Sequence, residues 1–572
     1  MNYLFFSSLL ISIKRSFFNS RSRPKFSLSQ KWVLCTLNLI VLLVSLNSQT
    51  LAAKRLSLSF GIIQRSISIE SLAFYARTGK LNNELKTYFQ YAPKEKLTEL
   101  RQVLITPIPL TNVEISQFLY TPIGENLLEK LENIIQGESR GVKIRGTSRS
   151  AGFYAMRAAL ILAASDSKEF TILDILEKFP SNKISIDLAR SLEIALEVRS
   201  LINQTRKAIK LINKESQEEV NTNIATDISE ILAANLRKSG NYSWQKSTIS
   251  LVDPNRSRNF SADVYLPKVD RESPVIVISH GLGSDRTSFV YLAQYLASHG
   301  FVVAVPEHPG SNAEQLEALL SANTDKITSP EEFIDRPLDI KYLLDKLTSL
   351  SRTDPLFKGK LNTQQVGVVG QSFGGYTALA LAGAQINVEQ MNKTCSSLDD
   401  SLNVSLLLQC LAYNLNQSEY NLFDPRVKVA IAINPITSSV FGRDGFNQIR
   451  IPVMIISSSL DKIAPALPEQ IKPFTWLQTQ NKYLALIDGG THFSTIAESP
   501  DATVPLPSNV IGVSPELAQN YIQVLSNTFF QAYVNSNANY RRYLDNGYIN
   551  TISREALPLS IVRSLDLDRK KK

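Results

Sequence analysis

Residues 365–384, QVGVVGQSFGGYTALALAGA, decide how the rest of this sequence is interpreted. An apolar, β-branched run at Val366–Val369 leads into a Gly-x-Ser-x-Gly turn centred on Ser372, and a small-residue helix pattern follows. A strand, a sharp turn and a helix form the context in which such a turn presents a nucleophilic serine. The glycines at 370 and 374 are expected there because side chains would collide with neighbouring elements. The alternative is a glycine-rich turn that only packs.

Length and charge limit the class of protein. A chain of 572 residues is too long for one compact core and favours two domains with appendages. The formal charge of +9 is uneven: residues 1–53 hold six of the 61 basic residues and no acidic one. The remaining 55 basic residues against 52 acidic residues leave only +3. No basic patch with interleaved aromatic residues is seen in the body of the sequence, so no nucleic-acid partner is expected.

The N-terminus has the pattern of an export signal. A basic region precedes the apolar run Trp32–Leu46, and small residues ending at Ala53 resemble a signal-peptidase site. We therefore predict a signal peptide over residues 1–53 and a periplasmic or secreted protein. The alternative is an uncleaved membrane anchor, although an apolar run of roughly 15 residues is short of the roughly 20 that span a bilayer.

Cysteine usage is compatible with export. Of three cysteines, Cys35 lies inside the predicted signal, which leaves Cys395 and Cys410. Two cysteines in an exported chain are compatible with one disulfide. Two buried free thiols remain the alternative.

The region before the serine turn divides in two. Apolar residues at three- and four-residue spacing predict an all-α accessory domain over residues 54–214. This domain carries no readable chemistry and is interpreted as facing a partner, a membrane or the substrate. A polar, charged stretch predicts a linker over residues 215–243.

The pattern changes from Trp244 onward. Two alternating strands are followed by apolar strand runs separated by helices, which predicts a mostly parallel sheet covered on both faces, of the α/β class. We assign this domain to residues 244–535 and a C-terminal extension to residues 536–572.

A serine hydroxyl is a poor nucleophile at neutral pH and needs a base held by an acid. Of the four histidines, His492 alone follows Ser372, in the loop DGGTHFS after the last strand run. In the chain order serine, acid, base, His492 is therefore the predicted base. A structural histidine is the alternative.

The predicted acid is Asp461. It follows the strand run in VMIISSSLDKIAP directly, at the end of the sheet where such acids lie. The rivals are Asp444, in a loop after the preceding strand, and Asp488, four residues before His492.

The oxyanion of an acyl-transfer intermediate needs two backbone N–H donors. One is predicted from Phe373, directly after the serine, and the other from Leu282 in the loop SHGLGS. His280 is expected to order this loop. Arg336 and Asp339 read as the start of a helix with a local ion pair.

These motifs resemble the α/β-hydrolase superfamily. The phrases YLPKVDRESPVIVISHGLGSDRTSF and RPLDIKYLLDKL, with an EH pair between them, resemble the platelet-activating-factor acetylhydrolase and dienelactone-hydrolase-like branch. The resemblance covers roughly residues 244–530 and implies hydrolysis of carboxylic esters by a Ser372–Asp461–His492 triad, without a metal or organic cofactor. The preceding region resembles a domain of unknown function that precedes such hydrolases in cyanobacterial proteins.

Two departures bear on the branch. Gln371 stands where many relatives have histidine. In the plasma acetylhydrolase the acid follows the strand directly after the serine turn, whereas that strand here ends in Asn434 and Asp461 comes one strand later. Dienelactone hydrolases have this later acid but use a cysteine nucleophile. The resemblance therefore implies serine-ester chemistry more firmly than any one branch.

An insertion occupies residues 385–425, between the helix after Ser372 and the next strand. It contains the apolar run Val404–Leu411. We expect it to lie over the catalytic edge of the sheet as a lid suited to an acyl or lipid substrate. A surface excursion is the alternative.

The sequence thus predicts an exported serine esterase acting on a small-molecule or lipid ester. Lactone or amide hydrolysis and a non-catalytic binding module on a hydrolase fold are the alternatives. A third is an N-terminal domain that makes peripheral contact with a membrane or a partner, with hydrolysis secondary. The sequence does not determine the oligomeric state.

Overall fold

The computed structural model describes eleven stretches of the chain. They are residues 53–60, 63–89, 92–108, 112–136, 149–165, 169–222, 236–321, 323–396, 403–416, 419–497 and 508–568. Apart from Ala53, the predicted signal peptide falls outside these stretches.

The N-terminal domain combines a small sheet with helices. Its strands form a sheet of order β2-β1-β4-β3 and are β1 (Arg55–Phe60), β2 (Ile63–Ser68), β3 (Ile135–Gln136) and β4 (Lys183–Asp187). Its helices are α1 (Ile69–Thr78), α2 (Asn83–Phe89), α3 (Lys94–Ile105), α4 (Asn112–Leu119), α5 (Pro122–Glu132), α6 (Ala151–Ala163), α7 (Ile172–Lys178) and α8 (Leu188–Thr222). Residues of both kinds of element share one hydrophobic core.

The prediction of an all-α accessory domain is therefore wrong, because this domain is α+β. β1 pairs antiparallel with β2 and parallel with β4. The strand signal was present: Leu56 and Leu58 alternate with polar residues in RLSLSF. Two six-residue strands are outweighed by the helical periodicity around them when the sequence alone is read.

Helix α8 connects the two domains and crosses the predicted boundary at residue 214. It contacts β1 and β4 of the first domain and β13 of the second. There the Ser560 hydroxyl donates to the Asn213 side chain at 2.8 Å, and Ala208 and Ile212 are buried in the core of the second domain. The domains are thus joined by a packed helix through residue 222.

The second domain is built on a nine-stranded sheet of order β13-β12-β11-β10-β9-β7-β8-β6-β5. Its six central strands are parallel, and β5, β6 and β13 are antiparallel to their neighbours. The strands are β5 (Trp244–Asp253), β6 (Arg258–Pro267), β7 (Ser273–Ser279), β8 (Val302–Pro306), β9 (Leu361–Gln371), β10 (Val427–Ile433), β11 (Val453–Ser458), β12 (Lys482–Ile487) and β13 (Leu559–Val562). The predicted α/β class and the mostly parallel sheet are confirmed.

Helices cover both faces of this sheet, since the strands have apolar side chains on both sides. α9 and α18 pack on one face and α11 and α12 on the other. The helices are α9 (Val290–Ser298), α10 (Ala313–Leu320), α11 (Glu332–Thr353), α12 (Phe373–Leu381), α13 (Val388–Cys395), α14 (Ser405–Gln409), α15 (Gly442–Phe446), α16 (Lys472–Trp476), α17 (Ser508–Ile511), α18 (Pro515–Tyr533) and α19 (Asn546–Ile552). Shorter turns are a π-turn at Leu467–Ile471 and 3-10 turns at Cys410–Asn414 and Ala538–Leu544.

The C-terminal segment belongs to the sheet. β13 pairs antiparallel with β12, from Leu559 opposite Ile487 to Val562 opposite Leu484. The second domain therefore does not end at residue 535. A four-residue edge strand is too short to be recognised from alternation alone.

The insertion at 385–425 does not simply cover the catalytic edge. The Asp424 N–H donates to the Leu381 carbonyl, so the insertion rejoins the sheet where α12 ends and β10 begins. That is the amino edge, because a helix of an α/β unit returns the chain to the start of the next strand. Gln409 reaches across to the carboxyl edge, where its side-chain oxygen accepts the Ser439 and Val440 N–H groups. The apolar run is largely buried.

Candidate active site

Ser372 lies in a strained turn between β9 and α12. Its φ of 56° and ψ of −116° belong to a region that residues other than glycine rarely adopt. The Ser372 N–H donates to the Ile433 carbonyl of β10 at 2.9 Å, which anchors the turn at the carboxyl edge of the sheet. This is the geometry expected of a nucleophile elbow.

The two flanking glycines are required by close approach. A Cβ atom built on Gly370 would lie 2.1 Å from the Gly374 carbonyl oxygen. One built on Gly374 would lie 2.0 Å from the Ser279 carbonyl oxygen of β7. Backbone atoms cannot give way as a flexible side chain can, so the expected collision is confirmed.

The structure brings His492 and Asp461 together. His492 Nδ1 lies 2.7 Å from Asp461 Oδ2, and both residues are buried. The other oxygen, Oδ1, accepts the Ile463 and Ala464 N–H groups at 2.9 and 2.7 Å. The Gln470 side chain donates to Oδ2 at 3.1 Å. Because an ionised carboxylate can only accept hydrogen bonds, Asp461 favours the tautomer of His492 with hydrogen on Nδ1. Nε2 then keeps a lone pair and can act as a base.

The rival acids lie elsewhere. Asp444 is exposed in the first turn of α15. Asp488 Oδ1 accepts the Ser459 hydroxyl at 2.8 Å. Asp461 is therefore the candidate carboxylate that contacts the His492 ring.

Two side chains that the sequence analysis did not assign to the site hold the His492 loop beside the serine turn. Gln371, the residue before Ser372, donates its side-chain amide to the His492 carbonyl at 3.1 Å. The Asn434 amide lies 3.4 Å from the same carbonyl, and its oxygen accepts the Ser458 N–H at 3.0 Å. Asn434 has a φ of 44° at the end of β10. An asparagine that ends a strand beside the elbow strand was the available signal.

The glycine-rich loop after β7 packs against the candidate nucleophile. A Cβ atom built on Gly281 would lie 3.5 Å from Ser372 Cβ. His280 Nδ1 lies 2.8 Å from the Gly281 carbonyl oxygen. In a trans peptide the next N–H, that of Leu282, points opposite to this carbonyl. The Leu282 N–H is thereby turned away from the His280 ring.

The protonation state of His280 follows from its neighbours. The His308 backbone N–H donates to His280 Nε2 at 3.1 Å, so the ring carries its proton on Nδ1 and donates to Gly281. Complete burial, together with the nearby Arg336 charge, holds the pKa of His280 well below its ordinary value. His280 is therefore a neutral ring that orders the loop, as expected from the sequence.

Arg336 is fully buried behind this loop, and within the described residues the expected ion pair with Asp339 is not formed. Its guanidinium donates to the His280 carbonyl and, at 2.8 Å, to the Ser311 hydroxyl, and it lies 4.7 Å from the Phe373 ring centroid. Burial lowers the Arg336 pKa to about 10. Asp339 instead binds arginines of the β5–β6 hairpin, including Arg258 at 2.8 Å. One buried cation thus contacts both elements that carry the predicted oxyanion donors.

Similarity to known proteins agrees with this geometry. Residues 239–336, which include the glycine-rich loop, match the family described as platelet-activating factor acetylhydrolase, isoform II. The second domain has the α/β-hydrolase fold. Residues 52–187 match a family described as alpha/beta hydrolase of unknown function (DUF1400). In this protein those residues form the N-terminal α+β domain, outside the nine-stranded sheet.

Distant relatives of this chain are named for ester hydrolysis. The chain is 23% identical over 256 residues to Cutinase 2 of Thermobifida cellulosilytica, covering 42% of this chain and 71% of that protein. It is also 23% identical over 256 residues to Cutinase cut1 of Thermobifida fusca, again 42% of this chain but 59% of the relative. It is 23% identical over 308 residues to platelet-activating factor acetylhydrolase of Cavia porcellus, covering 48% of this chain and 61% of the relative. The chain thus spans about three fifths of the length of the last two.

Proposed function

We propose that this protein is a serine hydrolase of carboxylic esters. The observation that carries the proposal is the strained Ser372 turn beside a His492 ring that is hydrogen-bonded to Asp461 at 2.7 Å. The distant similarity to cutinases and to platelet-activating factor acetylhydrolase supports ester hydrolysis as the reaction class.

In the proposed mechanism, Ser372 Oγ attacks the ester carbonyl carbon while His492 Nε2 takes its proton. Asp461 holds the ring in the tautomer with hydrogen on Nδ1 and stabilises the imidazolium that forms. His492 then returns the proton to the leaving alcohol, and an acyl group remains on Ser372. Water, deprotonated by the same ring, attacks this acyl-enzyme and releases the acid.

The charge that develops on the carbonyl oxygen is bound by the Phe373 and Leu282 N–H groups in this proposal. Support comes from the Gly281 contact with Ser372 and from the His280 ring, which accounts for the direction of the Leu282 N–H. The buried Arg336 cation behind both elements adds favourable charge near the same position.

We infer that the substrate is an acyl or lipid ester, as in the acetylhydrolase that this chain resembles. Exposed apolar side chains on the loops that carry the candidate triad support this substrate class. Leu460, beside Asp461, is 57% exposed, and Val513, beside a glycine that packs on Thr491, is 59% exposed. Such residues suit an acyl chain or peripheral contact with a lipid surface.

We further infer that the protein is exported. The Cys395–Cys410 disulfide supports an oxidising compartment, where such bonds persist. In the parts of the chain that the structure describes, none of the helices combines the length and apolar character needed to cross a membrane.

The test compares protein lacking residues 1–53 with its Ser372→Ala variant. Both are assayed on p-nitrophenyl esters from acetyl to palmitoyl and labelled with a fluorophosphonate. We expect turnover and labelling in the parent and neither in the variant. The optimum chain length then separates acetyl esters from longer lipids, and p-nitroanilides and lactones assayed in parallel test the alternative reactions. Folded parent protein that neither turns over nor labels would leave the binding-module alternative.

A further inference from the structure

We propose that the N-terminal domain is the roof of the active site and limits the size of the ester that enters. The inference rests on the proposed function for the identity of the reacting group. It is carried by three contacts with elements that surround the candidate triad, two made by helices of this domain and one by the connecting helix α8.

The first contact lies on the side of the oxyanion loop. Helix α4 of the N-terminal domain packs against α10, which follows β8 at the carboxyl edge of the sheet. Leu316 of α10 in turn supports the loop: a Cβ atom built on Gly283 would lie 3.1 Å from Leu316 Cδ2. A bridge between Ser284 and Asn312 joins the same two segments. The N-terminal domain is thus one helix away from the predicted oxyanion donor.

The second contact lies on the side of β10. Helix α5 packs against α14 of the insertion. Gln409, the last residue of α14, binds the backbone of the loop that follows β10, at the Ser439 and Val440 N–H groups. That loop begins beside Asn434, which contacts the His492 carbonyl.

The third contact lies on the side of the acid. Helix α8 packs against the π-turn Leu467–Ile471. Gln470 in this turn donates to Asp461 Oδ2 at 3.1 Å, and the neighbouring Glu469 accepts the Thr437 N–H at 2.7 Å. π-turns are frequent at functional sites, where they aim side chains that a regular helix would not.

Helices α4 and α5 belong to the N-terminal domain and α8 leads from it into the second domain, and together they reach three sides of the same edge of the sheet. Contacts on the oxyanion side, the β10 side and the acid side favour a path of the N-terminal domain over the space between them. Burial of the candidate triad agrees with this: Ser372 is 7%, Asp461 6% and His492 4% exposed. The site therefore admits a slender ester between the two domains and excludes bulky or surface-bound groups.

The test measures accessibility in the full-length protein. Two rates are compared. One is the rate at which a soluble alkyl fluorophosphonate labels Ser372. The other is the rate at which the protein is bound covalently by the same fluorophosphonate attached to agarose through a linker of two carbons. We expect rapid soluble labelling and at least 100-fold slower capture. A matched pair of variants on α10 then tests its packing: Leu319→Arg introduces a charge at a buried position of α10 and should disturb how the helix packs, whereas Glu317→Arg introduces it at an exposed one.

The roof predicts that Leu319→Arg raises the ratio of capture to soluble labelling at least tenfold, whereas Glu317→Arg leaves it unchanged. Hydrogen exchange provides a second measurement: an octyl phosphonate on Ser372 should slow exchange in residues 112–132, and a methyl phosphonate should not. Equal capture and soluble labelling in the parent, or exchange indifferent to chain length, would overturn the roof. If the soluble fluorophosphonate does not label the parent protein at all, the proposed reaction itself is contradicted.

Discussion

Gln371 and His492 are joined by a hydrogen bond of 3.1 Å from the glutamine side chain to the histidine carbonyl. Gln371 directly precedes Ser372, so the elbow itself holds the loop that carries the candidate base. The Gln371 side chain therefore has a structural role, and it couples two parts of the candidate site that lie far apart in the chain.

Replacing Gln371 with alanine is expected to lower kcat about fivefold with little change in KM. The lost bond is worth about 1 kcal/mol, and it orients the base rather than binding substrate. Steady-state kinetics on a short p-nitrophenyl ester measures both constants. Gln364→Ala, at an exposed position of the same strand, is the control and should behave as the parent. A larger effect on KM than on kcat would assign Gln371 to substrate binding.

Replacing Asp461 with asparagine is expected to reduce kcat by about 10⁴ while preserving the fold, because the amide no longer stabilises the required tautomer and imidazolium. Asp488→Asn and Asp444→Asn are the matched controls, since neither carboxylate contacts His492 in the described structure. If Asp461→Asn keeps its activity and one of the two control variants loses it, the aspartate replaced in that control variant is the acid.

Replacing His280 with alanine is expected to reduce kcat by about 10² without changing KM. The variant loses the hydrogen bond from His280 to the Gly281 carbonyl, which fixes the orientation of the peptide that carries the Leu282 N–H. His280→Asn, which can still donate to the Gly281 carbonyl, should recover part of the rate. Circular dichroism of both variants controls for folding. If His280→Ala and His280→Asn lower kcat equally, the His280 ring has no positioning role beyond packing.

Stability is expected to fall in mild acid. Burial holds the pKa of His280 and of His308 well below the ordinary value of 6.5. As pH drops below 6.5, these two histidines therefore bind protons in the unfolded chain but not in the folded one. Protonation favours the unfolded chain, so the stability that the neutral rings provide above pH 6.5 is lost.

The expected loss for these two rings is at most about 2 kcal/mol between pH 6.5 and 5.5. Glu307, Glu332 and Asp339, whose pKa values burial raises, act in the opposite sense. Urea unfolding followed by tryptophan fluorescence at several pH values measures the change. Stability that is constant or rises over this interval would show that the carboxylates outweigh the two rings or that the rings are protonated in the folded protein.

The Cys395–Cys410 disulfide closes a segment with a sequence separation of 15 and should stabilise the insertion. Removing it in a Cys395→Ala, Cys410→Ala variant is expected to lower the free energy of unfolding by about 3 kcal/mol, because the unfolded chain gains conformational entropy without the cross-link. Reductant should lower the urea midpoint of the parent to that of the variant and leave the variant unchanged. Equal midpoints before reduction would mean that the bond does not contribute.

Local pattern was sufficient for most elements of the second domain. The glycine spacing around Ser372 and the alternation of apolar strands with helices are short-range properties of the sequence, whereas His492 and Asp461 were predicted from their order along the chain. The all-α prediction for the first domain failed because β1 and β2 are short and their partner, β4, lies more than a hundred residues further along the chain.

What the sequence alone determined is the set of groups that the chemistry requires and the class of sheet that carries them, because spacing and periodicity are local properties. What only the tertiary structure decided is which side chains meet. Examples are the contacts of Gln371 and Asn434 with the His492 carbonyl and the position of Arg336 behind the loop at Gly281. Helices α4, α5 and α8 likewise contact elements at the carboxyl edge of the sheet. All of these are contacts between distant segments. Such contacts depend on how the strands are ordered in the sheet, which no single stretch of sequence records.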